Sequence, residues 1–181
     1  MLLSLLTLAG AICLLMFLMG SSAYIISHII SLSSGAPYVS TRSDELKELI
    51  AHIPLQSGSS MIELGCGDGR VIRAFAQKYA IHGVGYDVSP LVIGKAKLCA
   101  RLEKLPLSFH MRDIRTIDFT HADSLYLFLF PTIIQQLEKN RTSAIQKGTL
   151  IISHGFAIPY LKPYLSETLP GTRFKTYLYR S

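Results

Sequence analysis

No aspartate, glutamate, lysine or arginine occurs before Arg42, and Leu2 to Leu32 is nearly continuous apolar sequence, broken only by small residues, Tyr24 and His28. A helix needs about 20 apolar residues to cross a bilayer, so this segment can span one with length to spare. A cleaved signal peptide expects a basic n-region, a short apolar core and a small-x-small cleavage site. This segment has no Lys or Arg ahead of the core, and its apolar run is too long. A buried core helix is the third possibility, but the sequence after Arg42 already holds a full strand–helix alternation. The expected organisation is an N-terminal transmembrane anchor and linker over residues 1–33 and a globular domain over 34–181.

All 18 basic and 12 acidic residues lie from Arg42 onward, so the domain carries the whole net charge of +6. Arg42 and Lys47 flank the C-terminal end of the apolar run, and the positive-inside rule keeps that side cytoplasmic or equivalent. The expected protein is single-pass in a membrane. Lys95, Lys97, Arg101 and Lys104 cluster on one predicted helix. No nucleic-acid-binding motif accompanies them, so a basic surface facing anionic headgroups is the favoured reading. Cys13, Cys66 and Cys99 have no metal or redox spacing, and the six histidines form no ligand pair. We expect reduced structural thiols and no metal.

From Ser43 onward strands and helices alternate. Ser43 reads as an N-cap for a helix that Pro54 ends. Met61–Leu64, Ile81–Tyr86, Pro106–Met111, Ser124–Phe130 and Thr149–His154 read as strands, and Phe174–Tyr179 as a late antiparallel one. Helical spacing falls over Val71–Tyr79, from Ser89-Pro90 to about Lys104, and around Ile133, Ile134 and Leu137. This pattern gives a mostly parallel α/β sheet with helices on both faces. Ligands of such sheets bind beyond the carboxyl ends of the strands, where strand order reverses.

The strand ends therefore carry the chemistry. The first runs Glu63-Leu64-Gly65-Cys66-Gly67-Asp68-Gly69-Arg70. Its glycines permit a sharp turn and close approach of backbone to a ligand. A dinucleotide site wants a glycine where Arg70 stands, and no Lys-Ser/Thr pair follows to grip phosphate. Asp87 ends the second strand, where a carboxylate can accept hydrogen bonds from a ribose diol. Asp113 follows the third strand, within reach of an adenine amino group.

A glycine turn and acids at three successive strand ends resemble the class I methyltransferases that use S-adenosylmethionine (SAM). The resemblance covers roughly residues 37 to 181 and implies a Rossmann-like sheet. It also implies that Glu63, Gly65, Cys66, Gly67 and Gly69 hold the methionine part, Asp87 the ribose and Asp113 the adenine. Pro37-Tyr38-Val39-Ser40-Thr41 after an apolar run is similar to the Pro-Tyr-Val-Pro-Thr segment of a membrane-associated lysine methyltransferase subgroup. The members of that subgroup modify the ATP synthase c-subunit and the adenine nucleotide carrier. Gly83-Val84-Gly85-Tyr86-Asp87, Phe128-Leu129-Phe130-Pro131 and Tyr177-Leu178-Tyr179-Arg180 are similar to it as well. Ser40 departs from that subgroup's proline, which loosens the segment. The resemblance points to Tyr38, Phe130 and Pro131 as the acceptor-side residues.

The chain lacks the Asn/Asp-Pro-Pro-aromatic run of amide and adenine-amino methyltransferases, which argues against those acceptors. The expected acceptor is a lysine of a membrane-associated protein. Two alternatives stay open: a small membrane-soluble acceptor such as a quinone or lipid, and a SAM-binding membrane protein without catalysis.

Overall fold

The computed structural model describes residues 2–33, 40–119, 121–141 and 147–180. Helix α1, Leu2–Ser33, contains no charged residue at either end. Leu5, Phe17, Met19 and Ile29 are all more than half exposed, and among the described residues none of this helix joins either core. Within it Ser4–Ser27 is long and apolar enough to cross a membrane.

Helix α2, Ser43–His52, has its cap one residue earlier than expected. Arg42, not Ser43, is the capping residue, and its backbone N–H donates to Glu45 Oε2 at 3.2 Å. The remaining helices are α3, Arg70–Tyr79, α4, Pro90–Leu102, and α5, Pro131–Arg141. Helix α4 begins as expected, with Ser89 as cap and Pro90 in the first turn, where its missing N–H costs nothing.

The strands are β1, Ser60–Leu64, β2, His82–Asp87, β3, Leu107–Met111, β4, Ser124–Leu127, β5, Leu150–His154, β6, Leu165–Leu169, and β7, Thr176–Arg180. They form one seven-stranded sheet in the order β3-β2-β1-β4-β5-β7-β6. The first five strands pair in parallel. β7 runs antiparallel between β5 and β6. The expected mostly parallel sheet with a late antiparallel strand is therefore present, with one further strand at its edge.

Two corrections apply to the strands. The fourth ends at Leu127 rather than Phe130, because Phe128 to Phe130 leave the ladder to enter α5. β6 lies outside the sequence expectation. It reads Leu-Ser-Glu-Thr-Leu, is mostly exposed, and exists through its pairing with β7.

Each face of the sheet has its own core. Helices α2, α3 and α4 cover one face through Leu49, Ile72, Phe75, Ile93 and Ala96. Helix α5 and a 3-10 turn at Pro159–Tyr164 cover the other through Ile134, Leu137 and Leu161. Central strand β4 is buried at all four positions, as a parallel strand covered on both sides must be. Ile72 and Phe75 have no exposed surface, and burying such a side chain contributes about 1.5–3 kcal/mol. Strand order reverses at β1, between β2 and β4, so the ligand edge is the carboxyl edge around Leu64.

Candidate active site

Beyond Leu64 the chain turns through Gly65, Gly67 and Gly69, all with positive φ (+72°, +53° and +70°). Gly69 shows why the residue type is required. It caps α3 in the left-handed region, and a Cβ there would lie 2.5 Å from Phe109 Cε1. The turn is tied to its neighbour strand, because the N–H groups of Gly65 and Cys66 both donate to the Tyr86 carbonyl at 2.9 Å.

Asp87 closes the arrangement. Its Oδ2 accepts the Gly67 N–H and its Oδ1 accepts the Ser89 N–H, each at 2.9 Å. Each carboxylate oxygen has two lone pairs, so both keep accepting capacity toward a ligand.

Glu63 sits on the α3 face of β1 and is buried. Its Oε2 accepts the Ile72 N–H in the first turn of α3. Burial pushes its carboxyl up to about 8, with the charges of Asp68 and Asp87 adding to the rise and the Ile72 bond opposing it. Glu63, expected to hold the methionine part, lies inside the turn and ties the start of α3 to β1 through that bond. Cys66 is buried too, and burial raises its thiol; its side chain packs into the core.

Asp68, which sequence reasoning passed over, is the most heavily paired acid of the turn. Burial alone would raise its carboxyl, but Arg70 and Lys95 reverse this and hold it at about 2. Arg70 donates from Nε and Nη2 at 3.1 and 3.0 Å, and Lys95 Nζ at 2.8 Å. Nothing in the sequence links Lys95 to Asp68; only the packing of α4 beside the turn does.

Asp113 follows β3 and caps a 3-10 turn through the Arg115 N–H. Hydrogen bonds from the Arg115 guanidinium hold its carboxyl below the usual range, and burial opposes this only partly. It is a partly exposed acid whose two oxygens both already accept from Arg115.

At the far side of the switch point, Phe130 stacks toward Phe156 with ring centroids 5.6 Å apart. The Phe130 carbonyl accepts the N–H groups of Ile133 and Ile134, and Pro131 opens α5. Phe128 faces the opposite side and meets His154 and Phe174 edge-on at 4.7 and 5.3 Å. Tyr38 lies outside the described residues. His154 is buried, with Nδ1 on Thr176 Oγ1 at 2.9 Å. Burial lowers its basicity, and nearby Glu45 works against that. Its Nε2 and the Glu45 Oε1 are buried and have no hydrogen-bond partner among the described residues.

The donor set discriminates among ligands. Acids stand at three strand ends, Glu63 inside the turn and Asp87 and Asp113 half-buried, while Arg70 and Lys95 are both directed at Asp68. A pyrophosphate would meet acids here. A ligand with hydroxyls, amino groups and positive charge would be complementary, and the nucleoside and methionine parts of SAM have those groups. Among the described residues no group of three metal-ligating side chains forms.

Comparison with known proteins agrees with this chemistry. The family model described as the ANTKMT methyltransferase domain matches residues 63–165. The chain is 26% identical over 129 residues to the adenine nucleotide translocase lysine N-methyltransferase of Mus musculus, covering 70% of this chain and 56% of that protein. The lysine N-methyltransferase of the ATP synthase c-subunit from Xenopus laevis gives the same identity and the same coverage. The chain thus spans about half the length of these relatives. Among solved structures, an RNA methyltransferase from Salinibacter ruber in complex with S-adenosyl-L-homocysteine superposes with a TM-score of 0.71 at 22% identity. That match covers 78% of this chain and 93% of that one, and it shows a common fold.

Proposed function

Because the chain belongs to the ANTKMT methyltransferase domain family, whose match covers more than half of it, we propose that it is a SAM-dependent protein-lysine methyltransferase. The finer reading is that it is anchored by α1 and acts on a lysine of a membrane-associated protein, with residues 34–181 as the catalytic unit on the cytoplasmic or equivalent side. The observation that carries the cofactor is the Asp87 carboxylate, fixed by Gly67 and Ser89 at the switch point with both oxygens still able to accept.

In this reading Asp87 takes the ribose hydroxyls and Asp113 the adenine amino group. The backbone of Gly65 to Gly69 lies along the methionine part, with Cys66 packed beneath it and Glu63 bracing the turn. SAM when bound supplies an already activated methyl group, so the protein's work is alignment of donor and acceptor. Phe130 and Pro131 would form the acceptor wall, with Tyr38 from the preceding segment. An apolar wall penalises the charged form of an amine and so favours the neutral, nucleophilic lysine.

The test is incubation of the full chain with methyl-labelled SAM and a membrane preparation, followed by mass spectrometry of the labelled protein. Label on a lysine of a membrane protein supports the proposal. Label that extracts into organic solvent would point instead to a quinone or lipid acceptor. Binding of SAM without transfer to any fraction would indicate a non-catalytic role.

A further inference from the structure

Helix α4 is apolar on two opposite faces. Ile93, Ala96 and Ala100 point into the sheet core. Leu91, Leu98 and Leu102 are exposed by 42%, 56% and 72%. At 100° per residue these three leucines fall in one narrow stripe directly opposite the buried one. Exposed Lys97 and Arg101 lie along one side of that stripe, and Lys95, which falls within it between Leu91 and Leu98, is turned onto Asp68. A solvated helix carries polar residues on its outer face; a helix with leucines there and cations beside them has the pattern of one lying in a membrane interface.

The occupant of this face follows from its position. The apolar span in α1 runs from Ser4 to Ser27. Ser27 is the buried residue at its end, and its Oγ hydrogen-bonds Ser89 Oγ. Ser89 is the cap from which α4 starts. The point where α1 would leave the hydrocarbon is therefore the point where α4 begins.

We propose that the outer face of α4 rests on the surface of the bilayer that α1 enters, its leucines in the acyl boundary and Lys97 and Arg101 on anionic phospholipid headgroups. This rests on α1 being a membrane span. It places the carboxyl edge of β2, with Asp87 two residues from Ser89, at the level of the lipid surface. An acceptor side chain emerging from the bilayer would then reach the site without leaving the interface.

The chain has no tryptophan, so single tryptophans report their own surroundings. Leu98→Trp, Phe17→Trp and Lys162→Trp are made in the full chain and reconstituted into vesicles of phosphatidylcholine and phosphatidylglycerol, with and without bromine on the acyl chains. Lys162 is exposed in the 3-10 turn that covers the opposite face of the sheet. The expected result is blue-shifted emission and loss of intensity in brominated vesicles for Phe17→Trp and Leu98→Trp, but not for Lys162→Trp. Adding Lys97→Glu and Arg101→Glu to Leu98→Trp should restore much of its intensity, and unchanged quenching there would remove the headgroup contact. Quenching of Phe17→Trp alone would overturn the docking of α4 and leave the span standing. A blue shift at Leu98→Trp without quenching would mean that protein, such as a second copy, covers the face, which also overturns the proposal. No quenching of Phe17→Trp would show that α1 is not a span, and the docking surface falls with it.

Discussion

Asp87 Oδ2 accepts the backbone N–H of Gly67 at 2.9 Å, so the end of β2 holds the turn that follows β1 in place. One carboxylate thereby sets the shape of the glycine turn and keeps lone pairs toward the switch point.

Asp87→Ala is expected to weaken SAM binding by about 1.5–3 kcal/mol, the scale for hydrogen bonds to a charged group. Asp87→Asn, which keeps one acceptor, should lose less. Calorimetry on folded variants decides; unchanged affinity in Asp87→Ala would remove this residue from the site.

Glu63 makes stability depend on pH in an unusual direction for a carboxylate. Its folded value lies near 8, above the ordinary 4.5. Between these limits the folded state holds a proton that the unfolded state has released, so its contribution falls as pH rises from about 4.5 to about 8. At about 1.4 kcal/mol per unit the swing is of order 3–5 kcal/mol. Glu63→Gln keeps an acceptor for the Ile72 N–H and cannot ionise. Thermal unfolding should find it close to wild type at pH 5 and more stable at pH 8. Parallel pH profiles for the two proteins would refute the assignment.

The glycines are not equivalent. Gly69→Ala forces a Cβ to 2.5 Å from the Phe109 ring at φ +70°, and strain and overpacking together should cost about 2–5 kcal/mol. Gly94→Ala meets nothing within 4 Å inside α4 and should stabilise by up to about 1 kcal/mol. Denaturant unfolding of both variants tests the pair, and equal midpoints would contradict the packing described for the turn.

Asp68 is nearly buried between Arg70 and Lys95. Lys95→Met removes one partner and leaves the acid with Arg70 alone. Because the Lys95 side chain is 59% exposed, solvent screening keeps the expected loss to about 1 kcal/mol. Once Asp68→Asn is in place, the further loss caused by Lys95→Met should be smaller, and a double-mutant cycle in urea measures the coupling. A coupling of zero would show that the ion pair does not hold α4 to the turn.

The turn and the strand ends around it were legible because their signals are local. Gly65, Gly67 and Gly69 announce a turn wherever they fall, and Asp87 and Asp113 stand at strand ends that period-two patterning locates. What stayed hidden depends on distant parts of the chain. β6 carries Ser166, Glu167 and Thr168 and becomes a strand only through β7. The run from Ser124 to Phe130 is apolar throughout, so no periodicity marks where the ladder stops at Leu127. The burial of Glu63 and its bond to the Ile72 N–H have no sequence signature, since they depend on α3 packing against β1. Neither the Asp68–Lys95 pair nor the Ser27–Ser89 contact has any sequence signature, since each requires α4 to be packed first.

The register of β1 also orders events in time. Met61 pairs with Gly83 on one side and with Ser124 on the other. Closing the second loop, nearly three times as long, costs roughly 0.6–1 kcal/mol more entropy, and it must wait for more of the chain to be synthesised. Glu63, the glycine turn, Asp87 and Asp113 all lie on the early side of that divide, whereas Phe130 and His154 lie on the late side. A nascent chain can therefore bring its three acidic strand ends together before Phe130 and His154 have been added.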